Sequence, residues 1–123
     1  MIVVIIVALL AGVALPSYQE YIRKAKRVDA KTALLDIRLL QEKYRTNNPT
    51  YGTLVQIGAA STSADGHYTI AVLAGGNAPT ATTYIATAAP VGGGDMAGDS
   101  CGTFAVNQDG QLYTGYASVV CWE

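Results

Sequence analysis

Positive charge is missing from most of the chain. No lysine or arginine follows Arg45, and all eight of them lie between Arg23 and Arg45. The five acidic residues after Arg45 make residues 46–123 anionic. Because phosphate contacts from lysine and arginine dominate the affinity of proteins for nucleic acid, nucleic acid is a disfavoured partner of this chain.

The residue types that carry catalysis and metal binding are also scarce. His67 is the only histidine, and no C-x-x-C spacing occurs, so neither a catalytic triad nor a zinc-ligand pattern is indicated. Asp95 and Asp99 lie in a glycine-rich loop and have oxygen atoms suited to calcium, but they lack the EF-hand spacing, which favours a turn-forming role. We expect no enzymatic activity, no cofactor and no metal site.

Charge of either sign is absent from the first 19 residues, and the first sixteen are apolar except for Gly12. A membrane-spanning helix needs about 20 predominantly apolar residues. A signal peptide would begin with basic residues and end in a small-residue cleavage site, and neither is present. The segment is therefore expected to be a permanent helix buried in lipid or among other subunits, through Ile2, Val3, Val4, Ile5, Ile6, Val7, Leu9, Leu10, Val13 and Leu15.

Gly12 and Pro16 are the expected weak points of this helix. Proline inside a helix removes one hydrogen bond and clashes with the carbonyl four residues back. Residues 8–16 are therefore the predicted place for a kink or local unwinding, with a gentle bend in a continuous helix as the alternative.

Helical periodicity continues to about Arg45, where residues 46–49 (TNNP) end the helix. One apolar stripe is expected to pack on a sheet: Ala30, Ala33, Leu34, Ile37, Leu40 and Tyr44. A second stripe is expected to meet neighbouring molecules: Tyr21, Ala25, Val28, Thr32, Leu35 and Leu39.

The rest of the chain has the pattern of short strands separated by turns. Residues 46–66 are predicted to form a connecting loop with a helical turn near 54–57. Alternation and turn signals predict strands at 67–73, 82–88, 103–106 and 111–113, a turn at 74–79, a flexible loop at 92–98 and a hairpin turn at 107–110. The expected fold is α+β: a long N-terminal helix packed on a small antiparallel sheet of three to four strands.

Cys101 and Cys121 are the only cysteines. An even pair in a small domain, beside an export-type segment, predicts a disulfide and an oxidising compartment. Two free buried thiols are the alternative. The bridge would close a loop of about 20 residues and stabilise the fold by about 3 kcal/mol.

The stretch MIVVIIVALLAGVALPSYQEYIRKAKRVDAKTALL resembles the N-terminal helix of type IV pilins, and the pattern C-G-T-F, turn, C-W is similar to their disulfide-bounded C-terminal region. The resemblance implies a pilin-like roll and an extended segment around Gly12 and Pro16 in the filament. It also implies that Met1 is an internal residue, preceded in the full protein by a basic leader and a FTLIEL-type N-terminus.

The resemblance implies a structural subunit of a type IV pilus, a surface fibre for adhesion, twitching motility or DNA uptake. A type II secretion pseudopilin is the alternative. A DNA-receptor minor pilin ranks last because residues 46–123 lack lysine and arginine. Residues 1–29 would be the exposed helix half for membrane and filament core, and residues 30–123 the globular head.

The expected partners are identical or homologous pilin subunits, inner-membrane lipid before assembly, and the pilus assembly machinery. Basic residues after the apolar segment would by themselves place the head in the cytoplasm. The cysteine pair and the implied basic leader place it instead in the periplasm, and later in an extracellular filament. Arg23, Lys24, Lys26 and Arg27 form a basic belt expected to meet the acidic head of a neighbour, or alternatively lipid head groups.

Overall fold

The protein consists of one long helix and a small sheet that packs against the helix's second half. The computed structural model describes residues 1–73 and 79–123, so most of the predicted turn at 74–79 lies outside the described residues. The elements in chain order are α1 (Ile2–Arg45), β1 (Tyr68–Leu73), β2 (Ile85–Pro90), β3 (Phe104–Asn107), β4 (Gly110–Leu112) and α2 (Val119–Trp122). The predicted α+β architecture is confirmed.

Helix α1 has 44 residues and runs through both Gly12 and Pro16. At 1.5 Å per residue it is about 66 Å long. Proline removes only one hydrogen bond, and the turns on either side remain helical. The subunit therefore has the continuous helix that was the alternative at this point. Unwinding of residues 8–16 in the filament stays a prediction.

The C-terminus of α1 is closed by side chains of the predicted stop signal. The Thr46 hydroxyl donates to the Lys43 carbonyl at 2.6 Å, and the Asn48 amide donates to the Tyr44 carbonyl at 2.9 Å. These bonds satisfy carbonyl groups that have no partner within the helix.

The four strands form one antiparallel sheet in the order β1-β2-β3-β4. Strand β2 begins at Ile85 rather than at the predicted Thr82. The reason is a turn in which the Thr80 hydroxyl accepts hydrogen bonds from the backbone N–H groups of Thr82 and Thr83. Threonine side chains compete in this way with ladder pairing. The β3–β4 turn lies at the predicted residues 107–110, and Gly110 has a φ of 142°, a positive value that glycine adopts without steric cost.

The core lies between one face of α1 and the sheet. Ala30, Leu34 and Ile37 are buried, and Ala33, Leu40 and Tyr44 pack at the edge of the cluster, so the predicted sheet-facing stripe is confirmed. The Phe104 ring packs edge-on against Trp122 with centroids 5.1 Å apart. This contact fixes α2 on the sheet.

Gln41 lies in the middle of this apolar face and is fully buried. Its amide donates to the Gly52 carbonyl at 2.7 Å and accepts from the Gly52 N–H at 2.9 Å. A Cβ on Gly52 would lie 2.8 Å from the Ile57 side chain, so only glycine allows the connecting loop to approach this closely. Gln41 thereby supplies to the loop the hydrogen bonds that a strand would otherwise supply.

Candidate interaction surfaces of the long helix

The first half of α1 is exposed to solvent at its described apolar side chains. All ten apolar residues predicted to face lipid or other subunits are exposed, from Ile6 at 50% to Ile2 and Val13 at 75%. By length and composition α1 can cross a membrane, and its most apolar window is unburied. Contiguous exposed apolar surface of this kind marks contact with lipid or another protein.

The second apolar stripe of α1 continues this surface on the side away from the sheet. Tyr21, Val28, Leu35 and Leu39 are between 52% and 70% exposed, and Ala25 and Thr32 beside them are exposed as well. We call these six residues the outer stripe. Since the head leaves it open, an apolar surface extends along the helix from Ile2 to Leu39.

Not all four residues of the basic belt are available to a neighbouring subunit. Arg27 is buried and holds Asp99 through two hydrogen bonds, at 2.8 Å from Nε and 2.6 Å from Nη2. Lys26 pairs with Asp95 at 2.7 Å on the surface. Two of the four residues expected to meet another subunit therefore bind the acidic loop of their own chain. The pattern did not show this, because the partners are about 70 positions away in sequence.

Where α1 meets the loop of Asp95 and Asp99, the charged groups shift one another's pKa values. The hydrogen bond from Arg27 holds the pKa of Asp99 below its ordinary value, and the same bond raises the pKa of Arg27. The hydrogen bond from Lys26 lowers the pKa of Asp95. Burial raises the pKa of nearby Tyr68 to about 12. All these groups keep their usual charge at neutral pH.

Among the described residues, side-chain hydrogen bonds from α1 to the head start at Lys26. The division of the chain at residue 30 stays a prediction. Asp29 is buried and accepts hydrogen bonds from the Ser63 hydroxyl and, at 3.2 Å, from the Asp65 N–H. Cys101 and Cys121 form a disulfide with a Cα–Cα distance of 5.9 Å. Because Asp99 lies two residues before Cys101, the ion pair and the disulfide hold the same loop.

Asp95 and Asp99, the two carboxylates considered as calcium ligands, form ion pairs with cations of α1. In residues 1–73 and 79–123 no group of three or more potential metal ligands comes together. His67 is half-buried just before β1, where its carbonyl accepts the Val91 N–H at 3.1 Å. Its backbone thus helps to start the pairing of β1 with β2.

Four cations of α1 form a line that the sequence reasoning overlooked. Lys24, Lys31, Arg38 and Arg45 are spaced seven residues apart, and residues at this spacing lie almost above one another on a helix. We call these four residues the basic line. The seven-residue spacing of these cations is the signal in the sequence by which the line could be found.

Comparison with known protein families adds to the evidence from the head, the apolar helix and the disulfide. The family model described as type IV minor pilin ComP, DNA uptake sequence receptor, matches residues 16–105. The chain belongs to this family. A search of curated proteins found no match.

The family match confirms the predicted type IV pilin relationship and covers this pilin from Pro16 to Ala105. Together with the apolar helix, it makes the protein a type IV pilus-related subunit with a membrane-grade anchor. Pilins are structural subunits rather than enzymes. The expectation that nucleic acid is a disfavoured partner receives no support, because the family description names a DNA receptor.

Proposed function

We propose that this pilin is a minor subunit of a type IV pilus and that its filament contacts are made by the apolar half of α1 and the outer stripe. The observation that carries the proposal is the exposed apolar surface from Ile2 to Leu39. Before assembly, the apolar half lies in the inner membrane with the head in the periplasm, where oxidising conditions allow the disulfide.

Assembly exchanges lipid contacts for contacts between helices. Since lipid tails are as apolar as leucine side chains, packing and matched polar groups drive this exchange more than the hydrophobic effect does. The outer stripe differs from the first half, because Leu35 and Leu39 lie beside the head and are exposed to water in a single subunit. Their burial against a neighbour adds a hydrophobic gain.

We expect Leu35→Glu combined with Leu39→Glu to reduce incorporation into filaments about tenfold or more, since two carboxylates would be buried without partners. The measurement is the amount of this subunit in sheared filaments relative to the membrane fraction. Val55→Glu is the control, because Val55 is 88% exposed and lies on the connecting loop. Equal incorporation of the double variant and the control would contradict the proposed interface.

A second function, that of a DNA receptor carried on the filament, is favoured by the family description. The type II secretion alternative loses support for the same reason, since the matching family is one of type IV minor pilins. The two proposed roles are compatible, because the outer stripe and the basic line occupy different faces of the helix.

If the receptor role holds, the full chain in neutral detergent should bind duplex DNA with an affinity that falls steeply as salt rises. Fluorescence anisotropy with a labelled duplex, measured from low to physiological salt, checks this. A polyanion of unrelated shape, such as heparin, should compete at low salt only. Absence of binding even at low salt would remove the receptor function and leave the filament role standing.

A further inference from the structure

We propose that the basic line of α1 (Lys24, Lys31, Arg38 and Arg45) is the surface that contacts the phosphate backbone of duplex DNA. The inference rests on the proposed receptor function and assigns it a place on the molecule. The cations required for phosphate contact, absent from residues 46–123, are supplied by the helix on which the head is mounted.

The length of the line suits a duplex. From Lys24 to Arg45 the line covers about 32 Å, or roughly nine base pairs. This length is close to one helical turn of B-DNA, about 34–36 Å, so a duplex lying along α1 brings phosphates of both strands past the line.

The line also has its own face of the helix. Counting about 100° per residue, it lies between the face that packs on the sheet, around Leu34, and the outer stripe. A groove of about 210 Å³ borders it on the head side, between Lys31, Arg38 and Trp122. DNA bound along the line would therefore meet side chains of the sheet and would leave the outer stripe for filament contacts.

The four cations of the line have no ion-pair partner in the part of the chain that the structure describes. Lys31 Nζ donates to the backbone oxygen of Glu123 at 3.3 Å. The guanidinium of Arg45 donates to the Tyr51 hydroxyl at 3.0 Å and lies 4.7 Å from that ring's centroid. These partners orient the cations and leave their charge available.

Repulsion between neighbouring cations also shows that the positive charge around Lys31 is not neutralised. The pKa of Lys31 is lowered by burial first, and then by the positive charges of Arg27 and Lys24. A phosphate between these groups would relieve the repulsion. Glu42, exposed and close to Arg38 and Arg45 in the helix, is the one carboxylate at the upper end of the line.

A neighbour's acidic head is the competing occupant, and the structure disfavours it. Asp95 and Asp99 are already paired with Lys26 and Arg27. Asp65, Asp109 and Glu123, the remaining acids after Arg45, are on a loop before β1, in the β3–β4 turn and beyond α2. Acids placed so far apart in the fold do not match a straight line of four cations.

The test compares two double variants that change net charge equally. Lys31→Gln with Arg38→Gln removes the middle of the line, whereas Lys26→Gln with Lys43→Gln removes two cations from other faces of α1. Affinity for a duplex of about 20 base pairs, twice the length of the line, is measured by anisotropy from low to physiological salt. Full-length protein in neutral detergent is used, and Trp122 fluorescence verifies that each head is folded.

We expect the line variant to lower the salt slope by about 1.8, at about 0.9 per lost phosphate contact, and to weaken binding roughly 60-fold at 0.1 M salt. The loss should be the same for every duplex sequence, because phosphate contacts carry no sequence information. The charge-preserving variant Lys31→Arg with Arg38→Lys should keep the slope. Glu42→Gln should tighten binding.

Equal losses in the two double variants would overturn the basic line and leave the receptor function in place. Absence of DNA binding by the unmodified chain would overturn both. Normal DNA affinity but impaired filament formation in the line variant would show that the line meets a neighbouring subunit, and would also overturn the proposal.

Discussion

Replacing Arg27 by alanine is expected to destabilise the head by about 3–5 kcal/mol, because Asp99 would remain buried without its cation. The side chains of Arg27 and Asp99 are only 8% and 1% exposed, so water cannot take over the hydrogen bonds. Urea unfolding followed by the fluorescence of Trp122, the only tryptophan, measures the loss, since Trp122 packs on the core at Phe104.

Lys26→Ala is the matched control. Lys26 is the neighbouring cation and pairs with the same loop, but the side chain of its partner Asp95 is 71% exposed. Solvent screens such a pair, so the control should lose far less stability than Arg27→Ala. Equal losses in the two variants would show that the Arg27–Asp99 pair is not effectively buried.

The Arg27–Asp99 pair makes the stability of the head depend on pH. Because the folded pKa of Asp99 is lowered, its contribution is complete above the unfolded value of about 3.9 and is lost as pH falls through the folded value. The stability difference between the unmodified chain and Asp99→Asn should therefore narrow below about pH 4. A difference that stays constant between neutral pH and pH 3 would contradict this expectation.

Replacing Gln41 by alanine is expected to cost about 2–4 kcal/mol of head stability, because the N–H and carbonyl of Gly52 would both be buried without a partner. The same urea titration measures it. Gln41→Leu separates the causes, since leucine restores most of the volume but neither hydrogen bond. If the bonds carry the effect, the leucine variant should be almost as unstable as the alanine variant.

Gln56→Ala provides the surface comparison for this series. Gln56 also bonds a loop backbone, accepting from the Thr53 N–H at 2.8 Å, but it is exposed. Water replaces that bond, so the change should stay within about 0.5 kcal/mol.

Nearly full stability in Gln41→Leu would contradict the role of the two hydrogen bonds and would assign the effect of Gln41→Ala to lost packing.

The helix and its packed face could be predicted because their signal is local. Ala30, Leu34 and Ile37 recur at three- and four-residue steps, and this periodicity determines which face of a helix is apolar. Strand starts were less accurate, as at β2, where the hydroxyl of Thr80 forms a turn that alternation alone does not reveal. The apolar character of Ile2–Leu15 likewise needed no tertiary information.

The sequence by itself determined the long helix, its apolar first half, the sheet-facing stripe and the seven-residue spacing of the basic line, since each depends on residues close together in the chain. Only the tertiary structure decided which charged side chains pair with each other within the subunit. Arg27 and Asp99 are separated by 72 positions, and their pairing depends on how the loop before Cys101 packs on α1. That packing removes Lys26 and Arg27 from the basic belt and leaves Lys24, Lys31, Arg38 and Arg45 without acidic partners among the described residues. Charges act through space, so their balance at a surface is known only after folding has placed both signs.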